Sequence, residues 1–303
     1  MAGENLFYDN FSHIYVEEGV GESATIDRLP GRTIIPVKHY KDVFNRPGQE
    51  FLIQKQSQKL ILARRRDNFL YEGSPMCERF GHSRFYYATM MMNCPYNCAY
   101  CYLQTMYTSA NIVAFVNPED YFPAVEAALP AYVSISYDSD ILALENIFGY
   151  VKTWTEFTRC HPSLTLEVRT KSANFGAIAD ISPVNNMILA WTVSPQSVID
   201  EYEEKTPALA SRIENIKAAM EKGWNVRLCF DPVLPLPGWE GELKNLLDQL
   251  RSSLKFSDLY DTTTGTFRMS ETQYKKLRRL RPCLPQLSVD AVDIKLAREI
   301  IGL

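Results

Sequence analysis

Three cysteines fall within one short stretch, Cys94-x3-Cys98-x2-Cys101, directly after the apolar run Met90-Met91-Met92. Thiolates this close can bind three corners of a cubane iron–sulfur cluster. No fourth cysteine or histidine follows nearby, so one iron of such a cluster would stay open, and a closed structural zinc site is not completed. On spacing alone, zinc and an ordinary ferredoxin-like cluster remain as alternatives.

The rest of the composition bounds what surrounds this loop. The chain has 303 residues, room for one large α/β domain or two small ones. Hydrophobic residues make up 46%, enough for a sizeable core. The net charge of −4 gives no global pull toward nucleic acid, so any such surface must be a local patch. Seven cysteines is an odd number, three of them in the triad, and no signal peptide is evident. These features predict a reducing cytoplasm and no disulfide framework. No apolar run approaches the ~18 residues of a membrane span.

Residues 1–83 read as an N-terminal lobe ending in a loop. Gly31–Val37 is a short strand before a helix near 39–45, and Lys59–Ala63 is another strand. Gly73, Pro75 and Gly81 mark a loop that opens on Arg64, Arg65 and Arg66, a solvated face or a phosphate contact. From 84 onward strands and helices alternate. Strands are expected at 84–92, 131–137, 164–170, 187–193 and 225–231, with a weaker one near 263–268. Helices are expected at about 99–108, 118–128, 141–158, 172–180, 196–222 and 239–253, with Pro118-Glu119-Asp120 a good helix start. Short buried strands alternating with helices give a parallel sheet with right-handed crossovers. The pattern predicts an α/β fold, an open partial (β/α)6 TIM-type barrel over 84–255, with chemistry at the C-terminal strand ends. Cys94, Ser139, Lys171, Thr192, Ser194 and Asp231 fall there. Residues 256–303 form a short C-terminal extension, with a basic helix pattern carrying Lys275, Lys276, Arg278, Arg279 and Arg281. That helix is a solvated face or a phosphate-tracking surface.

The triad, with Tyr100 before its last cysteine, resembles the radical S-adenosylmethionine (SAM) enzymes. The run Cys101-Tyr102-Leu103-Gln104-Thr105 resembles the spore photoproduct lyase family in particular, and the likeness extends from Cys94 to about Trp239. It implies a 4Fe–4S cluster on Cys94, Cys98 and Cys101 whose open iron is chelated by SAM. Reduction then cleaves SAM to methionine and a 5′-deoxyadenosyl radical. The radical takes hydrogen from ring carbon 6 of the methylene-bridged thymine dimer of spore DNA, the bridge breaks, and a hydrogen atom is returned. The implied partners are UV-damaged DNA containing a thymine dimer and a reducing donor of flavodoxin or ferredoxin type. The implied setting is the cytoplasm of a spore or sporulating cell, with the chain acting as a monomer.

The same resemblance assigns a SAM pocket. Ser139-Asp140 matches the family's Ser-Asp pair, where many radical SAM enzymes carry Gly-Gly-Glu. Lys171 meets the SAM carboxylate, Thr192 keeps the hydroxyl of a family serine, and Ser194 lies beside it. Asp231 falls where backbone approaches the adenosine, and Tyr100 lies at the adenine. One departure stands out: the family's donor cysteine, just before the Ser-Asp pair, is replaced by Tyr137, followed by Asp138. A thiol gives up a hydrogen atom quickly and a phenol is next best. Cys77, in the loop before the cluster, is therefore the expected relocated donor, with Tyr102 and Tyr137 as relays. Cys160 is remote from the strand ends, Cys283 lies between two prolines, and Cys229 reads as core. A flipped lesion needs phosphate contacts and a wedge. Arg64, Arg65, Arg66, the Phe267-Arg268 step, Lys275, Lys276, Arg278 and Arg279 are the available material. Two other readings stay open: a radical SAM enzyme of this branch with another substrate, and a non-catalytic iron–sulfur protein that binds nucleic acid.

Overall fold

The apolar runs become the strands of two sheets. The computed structural model describes residues 11–21, 24–74, 78–282, 284 and 292–302. In chain order the strands are β1 (His13–Glu17), β2 (Thr33–Val37), β3 (Leu60–Ala63), β4 (Tyr71–Glu72), β5 (Phe85–Tyr87), β6 (Met91–Met92) and β7 (Asn97–Cys98). Then follow β8 (Ile112–Phe115), β9 (Ala131–Ser134), β10 (Leu164–Thr170), β11 (Met187–Thr192), β12 (Glu203–Glu204), β13 (Asn225–Val233) and β14 (Asp261–Thr266).

The larger sheet runs β14-β13-β11-β10-β9-β5-β4. Its neighbours from β5 to β14 all pair in parallel, and β4 adds an antiparallel edge. This is the open six-stranded partial barrel expected from the alternation. Its strands are buried on both faces, as a parallel sheet under helices requires: Val133, Leu166, Val168, Leu189, Trp191 and Leu228 are all buried. The helix Trp239–Ser253 forms where expected and buries Leu243, Leu246, Leu247 and Leu250, one apolar stripe at helical spacing. Each such leucine contributes roughly 1.5–3 kcal/mol by leaving water.

Three expectations are corrected. Residues 84–92 are not one strand: β5 ends at Tyr87, and β6 crosses to the second sheet, antiparallel to β8 with Met91 opposite Ala114. That second sheet runs β2-β1-β3-β8-β6, so segments beyond 83 complete the N-terminal lobe. At the other end β14 lies beyond 255 yet is the sixth barrel strand, paired with β13. Hydrophobic pattern identifies a strand without saying which sheet will take it. Lastly, several helices are shorter than read. The 141–158 pattern breaks at Gly149, whose φ of 68° suits glycine, into Glu145–Phe148 and Tyr150–Arg159. The 196–222 pattern breaks into Gln196–Tyr202, β12 and Leu209–Glu221. The 99–108 and 172–180 patterns shrink to Leu103–Met106 and a single 3-10 turn, Phe175–Ile178. Among the described residues no helix is long and apolar enough to cross a membrane.

Candidate active site

The cysteine loop leaves β6 through Asn93, which holds a φ of 65°. Asparagine tolerates this left-handed turn better than most residues. Its Nδ2 fixes the turn by donating to the carbonyls of Ser109 and Asn111, each at 2.8 Å. Further on, β7 pairs antiparallel with β12, placing Cys98 opposite Glu203, and the Ala99 N–H donates to the Tyr202 carbonyl at 2.7 Å. Gln104 closes the loop, its Nε2 donating to the Cys98 carbonyl at 2.7 Å.

The three cysteines line one cavity of about 540 Å³ at the C-terminal ends of the barrel strands. Tyr96, Tyr100, Ser139, Asp140, Lys171, Thr192 and Asp231 line the same cavity. The sulfurs act electrostatically on one another. Burial pushes all three thiols up, Cys94 to about 12. They are therefore protonated in the metal-free chain at neutral pH, and metal loading must release protons. Among the described residues no three His, Cys, Asp or Glu side chains converge as ligands of one metal ion. A cubane does not ask for that arrangement, since each thiolate takes a separate iron. Three cysteines lining one cavity, with no fourth ligand among the described residues, fit a cluster with one open corner.

Glu203, absent from the sequence expectations, ties this wall together. It is buried among four partners. Tyr100 Oη donates to Oε1, Ser194 Oγ donates to Oε1 at 2.9 Å, Arg212 Nη2 donates to Oε2 at 2.5 Å, and Lys171 Nζ lies 3.4 Å from Oε1. Burial would raise its pKa, but Lys171 and Arg212 outweigh burial and hold the carboxyl down at about 2. The sequence carried a signal for this break: Pro207 cannot continue a helix, and the residue before it is biased away from one. Ser194 is thereby turned away from the cysteine cavity and lines a neighbouring one of about 290 Å³, which corrects its expected place.

Asp140 is committed to backbone. It accepts from the Lys171 N–H at 2.7 Å, the Thr170 hydroxyl at 2.7 Å and the Ala143 N–H at 3.2 Å, which fixes the turn presenting Lys171. Burial raises its pKa against these bonds. The Ser139 Oγ meets Met91 Sδ at 3.2 Å. Asp231 uses its side chain, where only backbone was expected to matter, pairing with Arg169 at 3.5 Å and Arg268 at 3.2 Å. The cavity wall is tight here: a Cβ on Gly265 would come within 2.7 Å of both Arg268 and Asp231.

Tyr102 and Tyr137 lie together, their ring centroids 6.1 Å apart. The Tyr102 hydroxyl donates to the Tyr137 carbonyl at 2.5 Å, and the Tyr137 ring stacks on Tyr87 at 4.3 Å. Both also line a second cavity of about 310 Å³ that shares Ser136, Arg169, Asp231 and Arg268 with the first. Cys77 and Cys283 lie outside the described residues. Cys229 is fully buried in β13, and Cys160 is exposed.

Arg64 and Arg66 face solvent, with side chains 42% and 59% exposed. Arg64 pairs with Asp120 at 2.8 Å. Arg65 donates to the carbonyls of Asp67 and Asn68 and packs over the Phe115 ring at 5.3 Å. Arg66 reaches Glu17 at 3.7 Å. These cations line neither cavity. The basic helix forms over Glu271–Leu280, one turn earlier than read. Lys275 pairs with Glu271 at 2.6 Å, while Lys276 turns inward and donates to the Thr105 carbonyl at 2.7 Å. Beyond the helix, Arg281 donates to Gln104 Oε1 at 2.9 Å and to Asn97.

The profile of the family described as Spore photoproduct lyase matches residues 75–280. The spore photoproduct lyase of Bacillus subtilis (strain 168) is 23% identical over 233 residues, covering 74% of this chain and 66% of that protein. The enzyme of the same name from Clostridium acetobutylicum is 22% identical over 182 residues, 57% of this chain and 54% of that protein. The chain thus spans less than two thirds of the length of these curated relatives. Among solved structures, spore photoproduct lyase complexed with dinucleoside spore photoproduct superposes with a TM-score of 0.79 at 20% identity, covering 92% of this chain and 85% of that one. A double mutant with bound AdoMet and dinucleoside spore photoproduct gives the same values. At this identity the structural likeness is one of fold.

Proposed function

Since the chain belongs to the spore photoproduct lyase family, we propose that it is a radical SAM lyase that reverts the thymine dimer of spore photoproduct to two thymines. One observation carries this reading: Cys94, Cys98 and Cys101 share a cavity with Tyr100, Ser139, Asp140, Lys171 and Thr192, the residues matching the family's SAM pocket. Cys94, Cys98 and Cys101 would hold a 4Fe–4S cluster beside the SAM pocket, and the two together would supply the radical chemistry that starts repair.

The chain's own residues do the rest. Lys171 holds a positive charge for the SAM carboxylate, a charge-assisted contact. Arg212 answers Glu203 from the buried side, so Lys171 is not spent on it. The hydroxyls of Ser139 and Thr192 and the ring of Tyr100 line the remainder of the pocket. Tyr137 and Tyr102 line both cavities, suited to relay the radical back toward SAM after a thiol has given its hydrogen atom to the lesion. Cys77 is the thiol donor of this scheme. Arg268, on both cavities, meets the lesion's phosphate, while Arg278 and Arg279 contact flanking DNA. An external flavodoxin- or ferredoxin-type donor provides the electron, in a reducing cytoplasm that suits free cysteines.

The test is anaerobic reconstitution with iron and sulfide, then incubation with SAM, dithionite and synthetic dinucleoside spore photoproduct. Two thymidines are the expected product. Deoxyadenosine without repair would assign another substrate, and neither product would leave a binding protein.

A further inference from the structure

Lys55 belongs to the N-terminal lobe, on the helix Phe51–Gln56, yet it is only 4% exposed. Its ammonium donates to the carbonyl of Cys94, and Gln58 Nε2 donates to the same oxygen at 3.2 Å. Behind it, Lys205 Nζ donates to the Lys55 carbonyl at 3.2 Å. Burial lowers the Lys55 pKa to about 8, and the three cysteines beside it oppose that shift. Burying a charge without a counter-charge is costly, and proteins pair or solvate such groups. A glutamine could donate to the Cys94 carbonyl as Gln58 already does, so the hydrogen bond alone does not call for a charge. The anion within reach is the set of three sulfurs, which become thiolates when they bind iron.

We propose that Lys55 is the built-in counter-ion of the iron–sulfur cluster, a positioning residue by which the N-terminal lobe raises the cluster's reduction potential. The proposal rests on the reading of Cys94, Cys98 and Cys101 as cluster ligands. A cubane core on three thiolates carries net negative charge, and the incoming electron from the external donor adds one more. A fixed cation in low-dielectric surroundings favours the more negative form, and local charge and hydrogen bonding are among the levers that set cluster potentials. Two other cations act on the cysteines, but Lys171 faces the cavity and Arg281 is bonded to Gln104 and Asn97, whereas Lys55 is bonded to Cys94 itself. Lys55 transfers nothing; its charge biases where the electron rests.

The experiment is a spectroelectrochemical titration of the reconstituted holoprotein. Parent, Lys55→Met, Lys55→Gln, Lys55→Arg and Gln58→Leu are compared at matched iron and sulfide content. Loss of the charge should shift the reduced-to-oxidised ratio at fixed potential at least tenfold toward oxidised, a midpoint lower by about 59 mV for one electron. Lys55→Arg and Gln58→Leu should stay near the parent. A parent midpoint in both neutral variants overturns the proposal. So does an equal shift in Gln58→Leu, which would trace the effect to the Cys94 carbonyl rather than to charge. If neither neutral variant folds, Lys55 is a folding contact and the proposal fails. If the parent itself takes up no cluster, the reading of the cysteines fails instead, which keeps the two outcomes apart.

Discussion

The Lys171 ammonium lies 3.4 Å from the Glu203 carboxylate and 5.6 Å over the ring of Tyr100. Three separate elements meet at this point: the end of β10, the short strand β12 and the cysteine loop. Glu203 also holds Arg212 at 2.5 Å, and both of those side chains are fully buried. That inner pair satisfies itself, leaving Lys171, on the cavity side, with charge for a ligand. Lys171→Ala should therefore weaken SAM binding by ~1.5–3 kcal/mol, the range for hydrogen bonds to charged groups. Isothermal titration of the reconstituted protein measures it, and an unchanged affinity would remove Lys171 from the pocket.

Glu203 itself should act on stability. Its folded pKa of about 2 lies below the usual 4.5. A carboxyl depressed in this way stabilises the fold above its unfolded pKa, and that contribution fades as pH falls from about 4.5 through 2. The shift corresponds to about 3 kcal/mol. Glu203→Gln should lose that acid-sensitive component. It should also destabilise the protein at pH 7 by roughly 3–5 kcal/mol, because Arg212 would be left as a buried unpaired charge. Urea unfolding at several pH values is the measurement. A variant with the parent's midpoint at pH 7 would make the carboxylate incidental.

The basic helix divides by direction. Lys276 and Arg281 reach in to Thr105, Gln104 and Asn97, and so brace the loop that carries the cysteines. Arg278→Glu with Arg279→Glu should flatten the salt dependence of lesion-DNA binding, by about 0.9 in log–log slope for each duplex phosphate no longer neutralised. Lys276→Ala with Arg281→Ala should instead lower iron retention. Equal salt slopes for parent and the Arg278/Arg279 variant would make the outer face merely solvated.

Much of the barrel was legible because parallel strands buried on both faces read as continuous apolar runs: β10, β11 and β13 lie where the sequence puts them. The cysteine spacing was legible because it is local. What escaped depends on contacts between distant segments. Glu203 sits in a run that looks helical until Pro207 is weighed, and only its pairing with the Cys98 strand shows why the helix must break. Lys55 lies 39 positions from the carbonyl it holds. Arg64, Arg65 and Arg66 carry the composition of a phosphate site, but Asp120, the Asp67 and Asn68 carbonyls and Glu17 claim them first. Composition records charge, and folding decides whether a partner is already present.

The proposed reaction needs a hydrogen-atom donor. Tyr137 occupies the position just before the Ser-Asp pair, facing both cavities, with its ring on Tyr87 and its carbonyl holding the Tyr102 hydroxyl. Burial raises the Tyr102 phenol's pKa well above its usual value, so it stays protonated and keeps a hydrogen atom to relay. If Cys77 gives the hydrogen atom to the lesion radical, Cys77→Ala should still bind and cleave SAM, because the thiol acts afterwards. Repaired thymine should fall, and adducts of the unquenched radical with sulfite or formate should rise. Tyr137→Phe should change that partition less, since it removes a relay and keeps the thiol. Adding Tyr137→Cys to Cys77→Ala should restore clean repair by putting a thiol two residues before Ser139. Mass spectrometry of the thymine dinucleotide-to-adduct ratio compares parent and the three variants. A parent ratio in Cys77→Ala, together with a collapsed ratio in Tyr137→Phe, would make the tyrosine the donor and the loop thiol incidental.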